Sequence, residues 1–145
     1  MLRGNHEDKY INNNFGFADE CRSRLGEDPF ESDDSVFNSV NKVFEWLPMA
    51  AVIDKRILCL HGGIGATLNE MADVEKLKRP LEIVHEVQTK EHLLVVDILW
   101  SDPTDSDEEK GIHPNCVRDP NQSGNIVKFG PDRVASFCRK TNLDY

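Results

Sequence analysis

The segment LRGNHE, residues 2–7, and the segment ILCLHGG, residues 57–63, decide how this chain is interpreted. Residues 2–5, LRGN, are typical of the exit of a buried strand, and residues 57–60, ILCL, are a short apolar run typical of a strand. A histidine follows directly in each segment. Asn5 and His61 carry an amide oxygen and an imidazole nitrogen, which divalent metals accept as ligands. His6 follows Asn5 directly and is placed to give a proton to a leaving group. The two segments therefore predict a metal site that activates water, with His6 as general acid.

The composition is that of a folded globular protein with an acidic surface. The 145 residues are 39% hydrophobic and 30% charged, with a formal net charge of −9, which suits one domain with a sizeable core. No cluster of Lys and Arg alternates with aromatic residues, so neither nucleic acid nor an anionic membrane is expected as a partner. No run is long and apolar enough to span a bilayer, and no signal peptide opens the sequence.

The cysteines indicate a reducing compartment. Cys21, Cys59, Cys116 and Cys138 are widely spaced and form no CxxC pair. We therefore expect neither a structural zinc site nor a disulfide framework. Reduced thiols predict a cytoplasmic or nuclear protein.

Two helices are predicted in the first third of the chain. Apolar residues recur at helical spacing over residues 11–25, and Gly26 is typical of a helix end. Residues 36–47 predict a second helix, capped by Asp34 or Ser35. Its inner face is predicted to consist of its apolar side chains, which are Val36, Phe37, Val40, Val43, Phe44 and Leu47.

The middle of the chain predicts a hairpin and a third helix. Two β-rich runs, residues 49–53 and 57–60, flank a polar turn, which puts His61 at the end of a strand. Residues 67–70, TLNE, match a capping box at the start of a helix. Residues 93–99 form a further buried apolar run.

The last third predicts a long polar loop, residues 104–123, and then a short strand over residues 126–129. Pro131 is typical of the first position of a helix. Residues 143–145 predict the beginning of another strand. Three or four short strands make a small sheet with open edges, so we expect a marginally stable or aggregation-prone chain. Almost no strand precedes residues 2–5, and we expect residues 1–145 to be the central part of a single, larger catalytic domain.

The chain contains six short motifs in a distinctive order. They are LRGNHE at 2–7, FGF at 15–17, LPMAA at 47–51, HGG at 61–63, LWSDP at 99–103 and FG at 129–130. This order resembles the PPP family of metal-dependent serine/threonine protein phosphatases over essentially the whole chain. The resemblance implies an α/β fold, a partial metallophosphoesterase-type β-sandwich flanked by helices and incomplete at both ends. GPDRV at 130–134 is similar to the kelch-repeat branch of plants and protozoa.

The resemblance also implies the chemistry. A hydrolase of this kind removes phosphate from phosphoserine and phosphothreonine with water activated by two divalent ions of the Mn, Fe or Zn class, manganese being expected. Asn5 and His61 would ligate metal, and His6 would be the general acid. Arg118, which follows Pro114 and Asn115, is the candidate phosphate-binding arginine, and a solvent-facing loop arginine is the alternative.

Four further residues have supporting or structural interpretations. Asp102 is expected to support the site and Trp100 to pack under it, with loop capping and core filling as the alternatives. Glu7 is expected to anchor the turn rather than touch metal. Phe15 stands where the family has a residue near the substrate groove, but its helical stripe favours core packing. Surface positions are expected for the remaining histidines, which are His85, His92 and His113.

Several family motifs do not occur in this sequence. Gly-Asp-x-His-Gly, Gly-Asp-x-Val-Asp-Arg-Gly and Arg-Ala-His are absent, and with them all the aspartate ligands. Asn5 and His61 alone cannot complete a dinuclear centre, so we expect this chain by itself to bind metal weakly and to be inactive.

Three functions therefore stay open. The first is that the parent protein is a phosphatase. Its expected partners are phosphoprotein substrates and a regulatory subunit or a kelch domain in the same chain. Alternatively, the chain is a non-catalytic, phosphatase-derived binding scaffold, as the absent ligands favour. A small-molecule metallophosphoesterase is the third, because Asn-His-Glu is also similar to bacterial dinucleotide phosphohydrolases. The histidine acid beside a metal-type asparagine favours the first.

Overall fold

The computed structural model describes residues 1–144, in which groups of helices are followed by groups of short strands. The helices are α1 Lys9–Asn14, α2 Phe17–Leu25, α3 Val36–Phe44, α4 Met71–Glu75, α5 Lys90–Trp100 and α6 Pro131–Thr141. The strands are β1 Ala50–Ile53, β2 Ile57–Leu60, β3 Asp102–Pro103, β4 Ile112–Pro114 and β5 Val127–Phe129. They form a two-stranded sheet, β1-β2, and a three-stranded sheet in the order β3-β5-β4. The predicted α/β class is confirmed.

The hairpin that precedes His61 forms as predicted. β1 and β2 are antiparallel, with Ile53 opposite Ile57. Asp54 and Lys55 between them both have positive φ, 51° and 58°. Two consecutive residues of positive φ give the turn a twist that matches the strands. His61 follows β2 directly and so lies at its carboxyl end.

The segment before Asn5 is buried but is not a strand. The backbone N–H of Arg3 donates to the carbonyl of Pro48 at 2.9 Å, and Arg3 is only 2% exposed. One hydrogen bond does not make a ladder, so the prediction of a strand exit here is wrong. Contact with the chain just before β1 nevertheless brings Asn5 to the hairpin.

The first predicted helix is two helices. Phe15 and Gly16 separate α1 from α2, and Gly16 has φ +95°, a left-handed conformation that interrupts a helix. Asp8 caps α1 by accepting a hydrogen bond from the N–H of Ile11 at 2.8 Å. Gly26 ends α2 at φ +67°, as predicted. Phe15 is 71% exposed, so its predicted place in the core is wrong.

Helix α3 buries a different face from the one predicted. Ser35 caps it as predicted, with the N–H of Asn38 donating to its hydroxyl. Phe37 is fully buried, but Asn38 and Asn41 accompany it, whereas Val36 and Val43 are exposed. The reason lies in what packs there: Asn12 pairs with Asn41 at 2.7 Å, and the carbonyls of Pro29 and Ser32 need the amide of Asn38.

Two predictions in the second half need correction. The capping box exists, but it joins Glu70 and Asp73 instead of beginning at Thr67. The polar loop over residues 104–123 contains β4, a strand that pairs with β5 and that no sequence pattern predicts. The run over residues 93–99 is largely buried as predicted, and it belongs to helix α5. Pro131 opens α6 as predicted.

The main core surrounds α5. Ile98 and Leu99 are at most 1% exposed and pack with side chains of the hairpin region, β5 and α6. The buried members of this cluster are Met49, Ile64, Leu68, Leu94, Val95, Ile98, Leu99, Phe129 and Phe137. Burying an Ile or Leu side chain contributes about 1.5–3 kcal/mol, so α5 fixes the loops on either side of it.

The end of the described chain folds back onto the hairpin turn. The N–H of Asp144 donates to the carbonyl of Arg56 at 2.8 Å, and their side chains form an ion pair at 2.8 Å. Leu143 and Asp144 lie in no strand, which corrects the prediction for these residues, and Tyr145 lies outside the described residues. Over the described residues, no helix has both the length and the apolar character needed to cross a membrane.

Candidate functional site

The two predicted metal-type side chains meet. Oδ1 of Asn5 lies 3.0 Å from Nε2 of His61, although 56 residues separate them in sequence. An amide oxygen only accepts hydrogen bonds, so this contact uses the imidazole tautomer with the proton on Nε2. Asn5 is buried at 8% exposure and His61 is exposed, so this corner of two donors opens to solvent on one side.

A compact turn over residues 4–7 presents Asn5. The N–H of Gly4 donates to Oε2 of Glu7 at 2.6 Å, and Nε of Arg3 donates to the carbonyl of Glu7 at 2.9 Å. A Cβ added at Gly4 would lie 2.7 Å from Oε2 of Glu7 and 3.0 Å from the His61 ring, so a larger residue here would displace these two side chains. Glu7 therefore anchors the turn, as the sequence predicts.

Arg3 fastens this turn to the rest of the protein. Its guanidinium also donates to the carbonyl of Leu81, so one side chain joins the turn to a distant segment. Burial lowers the pKa of Arg3, and the nearby carboxylates of Asp8 and Glu45 work in the opposite direction. A buried guanidinium needs such partners, so the turn and its arginine depend on each other.

The His61 loop is fixed by close backbone approach. The N–H of Gly62 donates to the carbonyl of Ile98 at 2.8 Å. A Cβ on Gly62 would lie 2.7 Å from the carbonyl carbon of Leu99, and one on Gly63 would overlap the ring of Phe129. The two glycines of the motif are thus needed for the loop to lie flat against the end of α5 and β5.

His6 lies on the other side of the turn, at the surface. Its ring centroid is 4.7 Å from that of Phe15, with an angle of 51° between the planes. Both rings line a cavity of about 220 Å³ together with Glu7, Asn12, Phe17 and Phe44. An exposed imidazole in an aromatic-lined cavity can deliver a proton to a group that enters from solvent.

Arg118 and Asp102 form the second half of the predicted site. Nε of Arg118 donates to Oδ2 of Asp102 at 3.1 Å, and Nη2 lies 3.4 Å from Oδ1. Nδ2 of Asn115 also donates to Oδ2 of Asp102 at 2.8 Å. Burial raises the pKa of Asp102, but the hydrogen bonds from Arg118 and Asn115 outweigh it and hold that pKa below its ordinary value. Asp102 is therefore ionised at neutral pH and fixes the guanidinium.

Asn115 is a residue whose role sequence reasoning missed. It is 1% exposed, and its Oδ1 accepts a hydrogen bond from the N–H of Arg118 at 3.3 Å. The only signal in the sequence is the Pro114–Asn115 pair, which also locates Arg118.

In residues 1–144, no hydrogen bond or ion pair joins Arg118 or His6 to the Asn5–His61 corner.

The other histidines make local contacts. His85 is exposed, with Nε2 3.4 Å from Oδ1 of Asp8. His113 is half-buried, with Nε2 2.8 Å from the carbonyl of Lys110, and His92 is half-buried at the start of α5. The surface prediction is confirmed for His85 and too simple for the other two.

The donors fit one corner of a metal site and do not fill it. Asn5 and His61 supply an oxygen and a nitrogen, which suit a divalent ion. Within the described part of the chain, no group of three or more His, Cys, Asp or Glu is arranged to hold an ion. Further donors are required before these two residues can retain a metal.

Comparison with known proteins gives the family. The model of the calcineurin-like phosphoesterase family matches residues 1–145. The chain belongs to this family. As a metallophosphoesterase it is a member of a group that uses divalent metal ions, and its predicted membership in the PPP phosphatases is confirmed.

Two similar proteins are serine/threonine phosphatases. The chain is 41% identical over 143 residues to serine/threonine-protein phosphatase BSL2 of Arabidopsis thaliana, a match that covers 99% of this chain and 13% of the relative. It also resembles the structure of a protein serine/threonine phosphatase of Saccharomyces cerevisiae with similarity to human phosphatase PP5. That match has a TM-score of 0.71 and 29% identity and covers 98% of this chain and 38% of the other. The chain thus spans less than half of either relative.

Proposed function

We propose that residues 1–145 are the central part of a catalytic domain that removes phosphate from phosphoserine and phosphothreonine in proteins. The observation that carries this proposal is the 3.0 Å approach of Asn5 Oδ1 to His61 Nε2. It brings together two metal-type donors from the ends of separate segments, in a chain of the calcineurin-like phosphoesterase family. The names of both relatives, each a serine/threonine phosphatase, support the same substrate class.

Asn5 and His61 would hold a divalent ion, for which we propose manganese, together with donors that the described residues do not provide. When bound, such an ion supplies an activated water and polarises the phosphoryl oxygens. The turn over residues 4–7 and the flat His61 loop give these two donors fixed positions before any ligand arrives.

His6 would protonate the departing serine or threonine oxygen. Its imidazole is exposed beside Phe15, so a substrate group that enters from solvent can reach it. Phe15, with 71% exposure, would offer an apolar contact to the substrate.

Arg118 would bind the phosphate. Asp102 accepts a hydrogen bond from the Nε of Arg118, and Asn115 accepts one from the backbone N–H of Arg118 and donates to Asp102. These contacts orient the planar guanidinium. Its side chain is 44% exposed, so the remaining N–H groups are accessible to a phosphate oxygen. Pre-orientation lowers the entropy lost when a bidentate contact forms.

We further propose phosphoprotein substrates, a regulatory subunit or a kelch domain in the same protein, and a cytoplasmic or nuclear location. The GPDRV motif at 130–134 supports the kelch branch. The four cysteines are all unpaired thiols, as a reducing compartment would keep them.

The test is manganese-dependent hydrolysis of a phosphopeptide by the full-length protein, with bound metal measured in the same samples. Replacing His6 with Asn is expected to reduce kcat by about 10²- to 10⁴-fold and to leave metal content unchanged. Loss of metal in this variant would contradict the general-acid role.

The same assay decides between the alternatives. Hydrolysis of a dinucleotide but not of the phosphopeptide would indicate a small-molecule phosphoesterase. A folded protein that binds no metal and hydrolyses neither substrate would be the binding scaffold.

A further inference from the structure

The position of the His61 ring depends on its backbone. His61 is exposed, and within residues 1–144 its side chain has one polar partner, Oδ1 of Asn5. A side chain with so few contacts is only as well placed as the loop that carries it. The loop over residues 61–68 therefore determines whether the two donors meet.

Asp97 of α5 holds the donor side of this loop. Its Oδ2 accepts hydrogen bonds from the N–H of Ala66 at 3.0 Å, the N–H of Thr67 at 2.7 Å and the hydroxyl of Thr67 at 2.6 Å. Asp97 is 1% exposed, and its Oδ1 has no hydrogen-bond partner among the described residues. A carboxylate this deeply buried is costly, so its three contacts to one loop are its main compensation.

Arg133 of α6 holds the acceptor side. Its Nε donates to the carbonyl of Gly65 at 3.1 Å, and its Nη2 donates to the carbonyl of Leu68. Burial lowers the pKa of Arg133, and the charge of Asp97 raises it. Asp97 of one helix thus accepts from the N–H groups of Ala66 and Thr67. Arg133 of the other helix donates to the carbonyls on either side of them.

The fit between the loop and Asp97 leaves no room for adjustment. Gly65 has φ +45°, and a Cβ at this position would overlap the Asp97 carboxyl group. Leu68, at the end of this stretch, is fully buried and joins the main core.

We propose that Asp97 and Arg133 form a clamp that positions His61 by fixing the backbone of residues 65–68. Both are positioning residues, since neither touches His61. That the positioned His61 serves to bind metal rests on the proposed function. The clamp itself is a property of the folded chain. It predicts that loosening either charge disorders the loop and releases His61 from Asn5 without unfolding the core.

The test is amide hydrogen exchange and ¹⁵N NMR of the His61 ring in the full-length protein, prepared without metal. Asp97→Asn keeps the shape of the side chain and removes its charge, and Arg133→Met keeps the stem and removes the fork. Exchange at Ala66 and Thr67 is expected to rise at least about tenfold in each variant, because charged hydrogen bonds are about twice as strong as neutral ones. The His61 ring nitrogen shifts are expected to change in parallel, while exchange at Val127 in β5 stays at its original rate.

Matched controls separate positioning from general stability. Asp119→Asn removes a carboxylate that accepts from Ser123 and Gly124 in another loop, and Arg139→Met removes a charge from the same helix as Arg133. Neither is expected to change Ala66, Thr67 or the His61 ring.

Two results would overturn the clamp. One is unchanged exchange at Ala66 and Thr67 in both test variants, and the other is an equal rise at Val127, which indicates global destabilisation. Should Asp97→Asn yield no folded protein, Arg133→Met decides alone, since its side chain is only half-buried. No substrate or metal enters this experiment, so the two proposals fail separately. A negative hydrolysis assay does not contradict the clamp, and a negative exchange result does not contradict the phosphatase proposal.

Discussion

The loop that carries His61 and the loop that carries Arg118 are held in opposite ways. The first lies between helices α5 and α6 and depends on the buried charges of Asp97 and Arg133, which come from distant parts of the sequence. The second is held by residues within its own length or next to it, as Asp102, Asn115 and Arg118 show. Its far end is closed by Asp119, which accepts from the N–H groups of Ser123 and Gly124 at 3.0 and 2.8 Å.

This difference separates two kinds of precision. A loop fixed by the core keeps its geometry as long as the core is folded, and a ligand to a metal needs that constancy. A loop fixed by its own hydrogen bonds can loosen locally at small cost, which suits an arginine that must reach a variable substrate. Mutations in the two loops are therefore expected to have different effects on metal binding, on stability and on the response to acid.

The largest effect concerns activity of the full-length protein. Replacing His61 with Ala is expected to abolish manganese binding, and with it hydrolysis, because a donor on the rigid loop is lost. Replacing Arg118 with Ala is expected to lower kcat/KM by about 10²-fold and leave bound manganese unchanged, because only phosphate recognition is lost. Metal analysis and phosphopeptide kinetics on the same preparations measure both. Equal loss of metal in the two variants would mean that the loops form one unit.

The second prediction compares glycines in the two loops. Gly63→Ala is expected to destabilise the chain by about 3 kcal/mol, because the new Cβ overlaps the Phe129 ring in the core. Gly124→Ala is expected to cost about 1 kcal/mol, since φ is +77° but no atom lies within 4 Å of the added Cβ. Urea unfolding followed by circular dichroism gives both values. A larger cost at Gly124 would contradict the local character of the Arg118 loop.

The third prediction concerns acid. Hydrogen bonds from the backbone N–H groups of Ser123 and Gly124 hold the pKa of Asp119 below its ordinary value, whereas burial raises the pKa of Asp97. A folded pKa below the unfolded one stabilises the folded chain above the unfolded value, and this contribution disappears as pH falls through the folded value. The Arg118 loop should therefore loosen as pH drops below about 4. For Asp97 the sign is reversed, because its raised pKa favours the folded state when the carboxyl is protonated.

Carboxyl ¹³C NMR titration of Asp97 and Asp119, with amide spectra at each pH, measures this contrast. As the pH falls, Asp97 takes up a proton before Asp119 does, so the amides of Ala66 and Thr67 are expected to move first and those of Ser123 and Gly124 to move later, below pH about 4. Asp119→Asn should remove the later transition. Simultaneous movement of both loops would show that acid acts on the whole fold.

The smallest effect is expected for the exposed ion pair of Lys128 with Asp105, whose atoms are 2.5 Å apart and whose carboxylate side chain is 79% exposed. Asp105→Asn is expected to change the free energy of unfolding by less than about 1 kcal/mol, and high salt should reduce even that difference. Unfolding in low and high salt gives the measurement. A larger, salt-independent cost would place this pair among the groups that fix the fold.

The candidate site could be predicted from sequence only where its chemistry is local. The metal-type donors Asn5 and His61 follow from motifs a few residues long, and their meeting agrees with that expectation. The role of Asp97 could not be predicted, because an acidic residue in an apolar run gives no sign of the loop it will face. The role of Asn115 could not be predicted either, because its amide gains a hydrogen-bond partner only where the fold brings it beside Asp102.

Four short-range features follow from residue types alone: the hairpin turn, the helix end at Gly26, the cap at Ser35 and the start of α6 at Pro131. These depend on backbone conformation and on hydrogen bonds that span a few residues, so their residue types specify them. Tertiary structure decided which face of α3 is buried and that residues 93–99 are helical, because burial depends on what packs against a segment. It also decided the clamp on the His61 loop, since the charges of Asp97 and Arg133 gain their partners only when three separate parts of the chain come together.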